Sequence, residues 1–211
     1  MLSFFTGKLL ETVDSAYNGT IEVYQQLGQT KIVASGLLQS GGIIEQLWKK
    51  PLKKIHKSGA KIQHVLILGL GGGTLSGLIA KIWPQANITG IEIDKEMIRL
   101  GKKYLGLGAI LNLTITQADA FDFVKSQHLS NQYDLVLVDL FCGSHNHEKI
   151  ASLAFYQALH NLLRIKGKII LNQLFYGKHT ISAEKAIKTI EKKYHHISLI
   201  RNMSNLFVVF S

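Results

Sequence analysis

The 211 residues contain a single cysteine, Cys142, which excludes an intrachain disulfide and a cysteine zinc cluster. Acids are scarce too. Lys and Arg outnumber Asp and Glu by 24 to 14, giving a formal net charge of +10. That balance permits anionic partners. However, the densest basic run, "KKPLKKIHKSGAK" (49–61), has no aromatic residues between its lysines. A stacking platform for single strands is therefore not indicated, and the run reads as a solvated helix face. No apolar run approaches the roughly 20 residues of a membrane span. The opening "MLSFFTGKLLETVDS" lacks a basic stretch followed by a long apolar one, so no secretory signal is expected. The expectation is a cytoplasmic protein without a membrane partner.

Apolar content, at 46%, supplies a full core. From Ile62 onward, β-branched and apolar runs recur at "HVLILGL" (64–70), "NITGIEI" (87–93), "LTITQA" (113–118), "YDLVLVDL" (133–140) and "GKIILNQL" (167–174). Their near-continuous apolar character suits parallel strands buried on both faces. Helical patterns separate them, over 74–83, 95–105, 120–128, 148–163 and 181–194. Such alternation predicts a doubly wound α/β sheet with right-handed crossovers. "HISLIRN" (196–202) and "LFVVFS" (206–211) are joined by only "MSN", which demands an antiparallel hairpin. Seven strands closed by a hairpin resemble the Rossmann-like class I methyltransferase fold. Before it, "TIEVYQQ" and "KIVASG" predict a β-hairpin over 20–35, and "GGIIEQLWKKPLKKIHK" an amphipathic helix that Pro51 should break or kink. The expected division is an N-terminal appendage over 1–58 and the Rossmann-like domain over 59–211.

The stretch "LILGLGGGTLSG" (66–77) joins the first strand of that domain to a helix. A P-loop would end in Gly-Lys-Ser or Gly-Lys-Thr, and this turn runs into Thr74 and Leu75. A dinucleotide fingerprint needs glycine or alanine where Thr74 stands. The spacing Gly69, Gly71, Gly73 fits S-adenosylmethionine sites better. Acids end the next three strands: Glu92 in "GIEID", Asp119 in "QADAF" and Asp139 in "LVDLFCG". Ligands of open α/β sheets bind outside these strand ends. A carboxylate about 20 residues past the glycines suits a ribose. Helix capping is the competing role for such acids: Asp94 reads as a cap for "KEMIRLGKKYL", and Asp119 could cap the helix after it.

In order and spacing, "SAYNGTIEV", "SGLLQSG", "LGLGGGTL", "GIEIDKEMI", "ADAFDFV" and "YDLVLVDLF" resemble the spermidine synthase family. The resemblance implies that Gln39 contacts the nucleoside, Glu92 beside Ile93 holds the ribose, and Asp119 with Ala120 holds the adenine. It implies S-adenosylmethionine or its decarboxylated form as donor, a small-molecule acceptor, and a homodimer. Two departures stand out. Polyamine synthases carry an aspartate within the glycine turn, where this chain has Gly72. They carry another three residues after the strand 4 aspartate, followed by proline; here that place is Cys142, followed by Gly143. A diamine is dicationic at neutral pH, so it needs one carboxylate to anchor it and a base to free the attacking nitrogen. Methyl transfer asks less, since holding donor and nucleophile in line can supply about 7–11 kcal/mol.

The expected catalytic residues are Asp139 and His145, the latter in "FCGSHNHEKI". His145, His147 and Glu148 are too local and irregular in spacing for a zinc site, so no metal is assigned. His195 and His196 read as structural. The Asn/Asp-Pro-Pro-aromatic loop of base amino-methylases is absent, since Pro51 and Pro84 are the only prolines, and Cys142 follows Phe141 rather than the proline of cytosine-carbon methylases. A nucleic-acid acceptor is thus not favoured. The expectation is methyl transfer. An aminopropyltransferase that recruits other acids, and a nucleoside binder without catalysis, are the alternatives.

Overall fold

The computed structural model describes residues 7–126, 130–142, 145–146 and 148–211; of residues 142, 145, 146 and 148 it describes the backbone alone. Four antiparallel strands come first, paired in chain order: β1 (Lys8–Ser15), β2 (Gly19–Gln26), β3 (Gln29–Ala34) and β4 (Leu37–Gly41). The hairpin expected over 20–35 is the β2–β3 pair, which turns at Leu27 and Gly28, both at positive φ. Two further strands flank it. Neither had a clear pattern: β1 is partly exposed on both faces, and β4 has only five residues.

Helix α1 (Ile43–Lys57) continues through Pro51, where a break or kink was expected, without a break. Proline cannot donate to the carbonyl four residues back. That carbonyl, on Leu47, instead accepts from Asn202 Nδ2 at 2.9 Å, and the Gln46 carbonyl accepts from the same amide at 3.1 Å. A distant side chain thus supplies the bond that the proline removes. The helix buries Leu47, Trp48, Pro51, Leu52 and Ile55, and exposes its lysines to solvent.

The remaining elements are β5 (His64–Leu68), α2 (Thr74–Ile82), β6 (Asn87–Glu92), α3 (Lys95–Tyr104), β7 (Leu113–Gln117), α4 (Ala120–Ser126), β8 (Tyr133–Val138), the two-residue pair β9 (Phe141–Cys142) and β10 (His145–Asn146), α5 (Leu153–Leu162), β11 (Leu163–Leu174), α6 (His179–Glu191), β12 (Ile197–Asn202) and β13 (Asn205–Phe210). The main sheet has seven strands in the order β12-β13-β11-β8-β5-β6-β7. Strands β5, β6, β7, β8 and β11 run parallel, and β13 is antiparallel to both of its neighbours. The terminal hairpin therefore closes the sheet, as its short link required. Alternate residues of the strands feed two cores. Val65, Ile67, Leu135, Leu137 and Ile170 pack with α1 and α2; Leu66, Leu68, Val136, Val138 and Leu171 pack with α4, α5 and α6. The chain moves outward from β5 to β7 and then returns to β8 on the other side of β5. That reversal places the ligand crevice between β5 and β8.

The four-stranded sheet is clamped onto the α3 side of this crevice. Ile21, Val23 and Ile32 pack against Met97 and Leu100. Glu11 accepts from Arg99, Lys103 and Tyr104 at 2.6–2.7 Å, and these donors hold its carboxyl down at about 2.

Candidate active site

At the switch point the backbone leaves no room for a side chain. Gly69 sits at φ +87, and a Cβ added there would lie 2.3 Å from the carbonyl oxygen of Asp139. The N–H groups of Gly69 and Leu70 both donate to the Ile91 carbonyl, which ties the turn to the end of β6. Glu92, the last residue of β6, closes the arrangement. Its Oε2 accepts from the Gly71 N–H at 2.7 Å and its Oε1 from the Asp94 N–H at 3.0 Å. Burial pushes this carboxyl above its ordinary range, and the two N–H donors oppose that rise. Each oxygen keeps a second lone pair for a ligand hydroxyl.

The other glycines of the turn do different work. The Gly72 N–H donates to Ser40 Oγ at 2.7 Å. A Cβ at Gly72 would meet Ile32 Cδ1 at 2.8 Å, and Leu105 Cδ1 and Ser40 Cβ at 2.9 Å. Gly73 is the N-cap of α2, and a Cβ there would lie 2.3 Å from Leu107 Cδ1. It packs against that leucine and does not line the cavity described below. The Gly41 N–H donates to Thr74 Oγ1 at 2.6 Å, so β4 is pinned to the middle and the end of the turn.

Asp94 is the expected cap of α3: its Oδ1 accepts from the Glu96 N–H at 2.9 Å. Its Oδ2 accepts from Ser15 Oγ and Asn18 Nδ2, joining the N-terminal sheet to the site. Asp119 caps α4 through Oδ1, which accepts from the N–H groups of Phe121 at 2.7 Å and Asp122 at 3.1 Å. It also lines the cavity. Asn caps helices about as well as Asp. Asp119→Asn should therefore leave stability within about 0.5 kcal/mol, whereas Asp119→Ala should cost about 1 kcal/mol. Thermal melts check this. If Asp119 also holds a ligand, Asp119→Asn weakens that ligand in a calorimetric titration while the melting temperature stays in place.

Asp139 stands at the end of β8, half-buried within the crevice. Its Oδ1 accepts from Asn172 Nδ2 at 2.8 Å and its Oδ2 from Trp48 Nε1 at 3.2 Å. Asn172 Oδ1 in turn accepts from Asn205 Nδ2 at 2.9 Å, and Asn205 Oδ1 accepts from Ser204 Oγ at 3.1 Å. Desolvation pushes the Asp139 carboxyl up to about 6, although both donors favour its ionised form. The rise brings its proton affinity toward neutrality, which suits a base.

A cavity of about 410 Å³ runs across these strand ends. Gln39, Gly69, Gly71, Glu92, Ile93, Asp119, Ala120 and Asp139 all line it. The side chain of His145 lies outside the described residues, as do those of Cys142 and Glu148 and the whole of His147. Trp48, Asn172, Tyr176, Ser204 and Asn205 line the cavity without having been expected there. One signal was available: "NQ" interrupts the apolar strand "GKIILNQL" at its carboxyl end. Among the described lining residues three are acids, Glu92, Asp119 and Asp139, and none is Lys, Arg or His. This contrasts with the chain's net charge of +10. Among the described residues no group of three or more His, Cys, Asp or Glu could hold a metal, and no helix is long and apolar enough to cross a membrane.

The sheet order, the glycine turn and the strand-end crevice define a Rossmann-like α/β fold of the methyltransferase type. The chain belongs to the spermine/spermidine synthase family, whose domain matches residues 45–210. Among curated relatives, a polyamine aminopropyltransferase of Vibrio vulnificus is 23% identical over 150 residues, covering 71% of this chain and 50% of the relative. An "eEF1A lysine and N-terminal methyltransferase homolog" of Drosophila melanogaster is 35% identical over 77 residues, covering 36% of this chain and 11% of the relative. The solved structure of a probable spermidine synthase from Corynebacterium glutamicum superposes with a TM-score of 0.82 at 17% identity, covering 98% of this chain and 80% of that one. The chain spans about half the length of the polyamine aminopropyltransferase it matches.

Proposed function

We propose that the protein is a transferase that takes a methyl group from S-adenosylmethionine to a small acceptor. The cavity suits a sulfonium nucleoside: three carboxylates line it, no described lining side chain is cationic, and Glu92 is buried beside the glycine turn. Glu92 would hold the ribose hydroxyls through its remaining lone pairs. Asp119, Ala120 and Ile93 would enclose the adenine, and Gln39 would close over the nucleoside. When bound, the sulfonium supplies an electrophilic carbon. The chain's own part is to hold donor and acceptor in line, keep water out of an apolar crevice, and take a proton at Asp139.

One observation carries methyl over aminopropyl transfer. The acids that anchor a diamine in polyamine synthases are missing, and at Gly72 a Cβ would press on Ser40 Cβ and on the terminal methyls of Ile32 and Leu105. Aminopropyl transfer stands as a second reading because no described lining side chain is cationic, which leaves the carboxylate of the full donor without a charged partner. Calorimetric titration with S-adenosylmethionine and with its decarboxylated form separates the two. Tighter binding of the carboxylated donor is expected. Preference for the decarboxylated form would restore polyamine synthesis, and binding of neither would refute the nucleoside site.

A further inference from the structure

The two halves of the cavity differ in character. The half over β5, β6 and β7 carries Glu92, Asp119 and the glycine turn. The half over β8, β11 and β13 is bounded by α1, by the ends of β8 and β11, and by the β12–β13 turn. Its only carboxylate among the described residues is Asp139. The same cavity is lined by Ile43, Leu47, Phe141, Leu174 and Tyr176, together with the neutral amides of Asn172 and Asn205. Ile43 and Tyr176 are each 45% exposed, so the apolar wall continues to the mouth of the cavity. Large apolar side chains left exposed around a concave site mark a surface that a ligand covers.

From this geometry we infer that the acceptor is an apolar monoamine: one ammonium for Asp139, and a hydrocarbon or aromatic body for the wall. The inference rests on the transferase reading above and names its acceptor. A second ammonium would find no second carboxylate among the described residues of this half, only the neutral amides and the Tyr176 ring. A single ammonium meets a carboxylate whose orientation Trp48 and Asn172 have already set. Asp139 takes one proton from the ammonium. The freed nitrogen pair forms the new bond to the donor carbon as that carbon's bond to sulfur breaks, its electrons leaving on sulfur. The sulfonium charge disappears and the product amine carries it away.

The test uses n-hexylamine and 1,4-diaminobutane, titrated calorimetrically into the whole protein with and without S-adenosylhomocysteine. A transfer assay with methyl-labelled S-adenosylmethionine runs in parallel. Hexylamine should bind at least tenfold more tightly than the diamine and should be the amine that gains label. Tyr176→Asp, at an exposed position, adds a second carboxylate at the mouth. It should narrow the ratio several-fold. Equal binding of the two amines, or a preference for the diamine, overturns the inference; intact donor binding then leaves the transferase reading standing. Loss of donor binding with hexylamine still preferred supports the apolar amine site and overturns the transferase reading instead.

Discussion

Asp139→Asn should lower kcat by about 10²–10⁴-fold, the range contributed by a positioned general base, and should at the same time stabilise the folded protein above pH 7. The stabilisation follows from the direction of the Asp139 shift. Its carboxyl is raised to about 6 in the fold from an ordinary 3.8. Between these values the unfolded chain releases its proton first, so stability falls as pH rises from about 4 to 6 and stays lowered above. Asparagine has no charge to desolvate. Its carbonyl can still accept from Trp48, but its amide would meet the Asn172 amide, which offsets part of the gain. A net gain of about 1–2 kcal/mol at pH 7.5 is expected, shrinking towards pH 4. Denaturant titrations at several pH values measure it. In the native protein kcat/KM should decline as pH drops through about 6. Trp48→Phe removes a donor that favours the ionised form, so it should move that decline to higher pH. Turnover that survives Asp139→Asn within a few-fold would remove the base from the mechanism.

Gly72→Asp, the substitution that restores the turn acid of polyamine synthases, should not restore diamine use. It should cost roughly 2–4 kcal/mol of stability instead. The Cβ alone would press on Ile32 Cδ1 at 2.8 Å and on Ser40 and Leu105 at 2.9 Å. The carboxylate would then have to lodge between the N-terminal sheet and the turn, away from the cavity. Unfolding in urea gives the cost, and a labelled transfer assay with 1,4-diaminobutane gives the activity. A variant as stable as the parent that also gains diamine transfer would show that the N-terminal sheet yields at this point, and would revive the aminopropyl reading.

The contrast between these two positions shows how far local pattern reaches. Asp139 could be picked out because it follows a short continuous apolar run rich in β-branched residues, which suits a strand buried on both faces. Its carboxyl end is then where a ligand would approach. The same logic located Glu92 and Asp119, and capping chemistry located Asp94. Strand limits agreed within a few residues because alternation and turn residues are local signals. The exception is β11, which starts at Leu163 and passes a register shift before Lys168, so Leu163 reads as the end of a helix and the strand is expected only from Gly167. At Gly72 the sequence offered only the absence of an acid. The side chains that fill its place come from β3, β4 and the end of α3.

Local pattern along the chain sets the seven-stranded alternation, the closing hairpin, the glycine turn and the acids at successive strand ends. Each is written in residues close together along the chain, as periodicity or spacing. Which groups those acids face follows from long-range packing. Trp48 reaches Asp139 across 91 residues, Asn172 across 33, and Asn202 reaches the carbonyl orphaned by Pro51 across 155. Partners this distant leave no periodic trace, because any helix or strand of suitable polarity could supply an amide. Only packing α1 against the β12–β13 turn brings these particular groups together. That packing makes Asp139 a half-buried carboxylate in an apolar chamber rather than a solvated acid at the edge of a sheet.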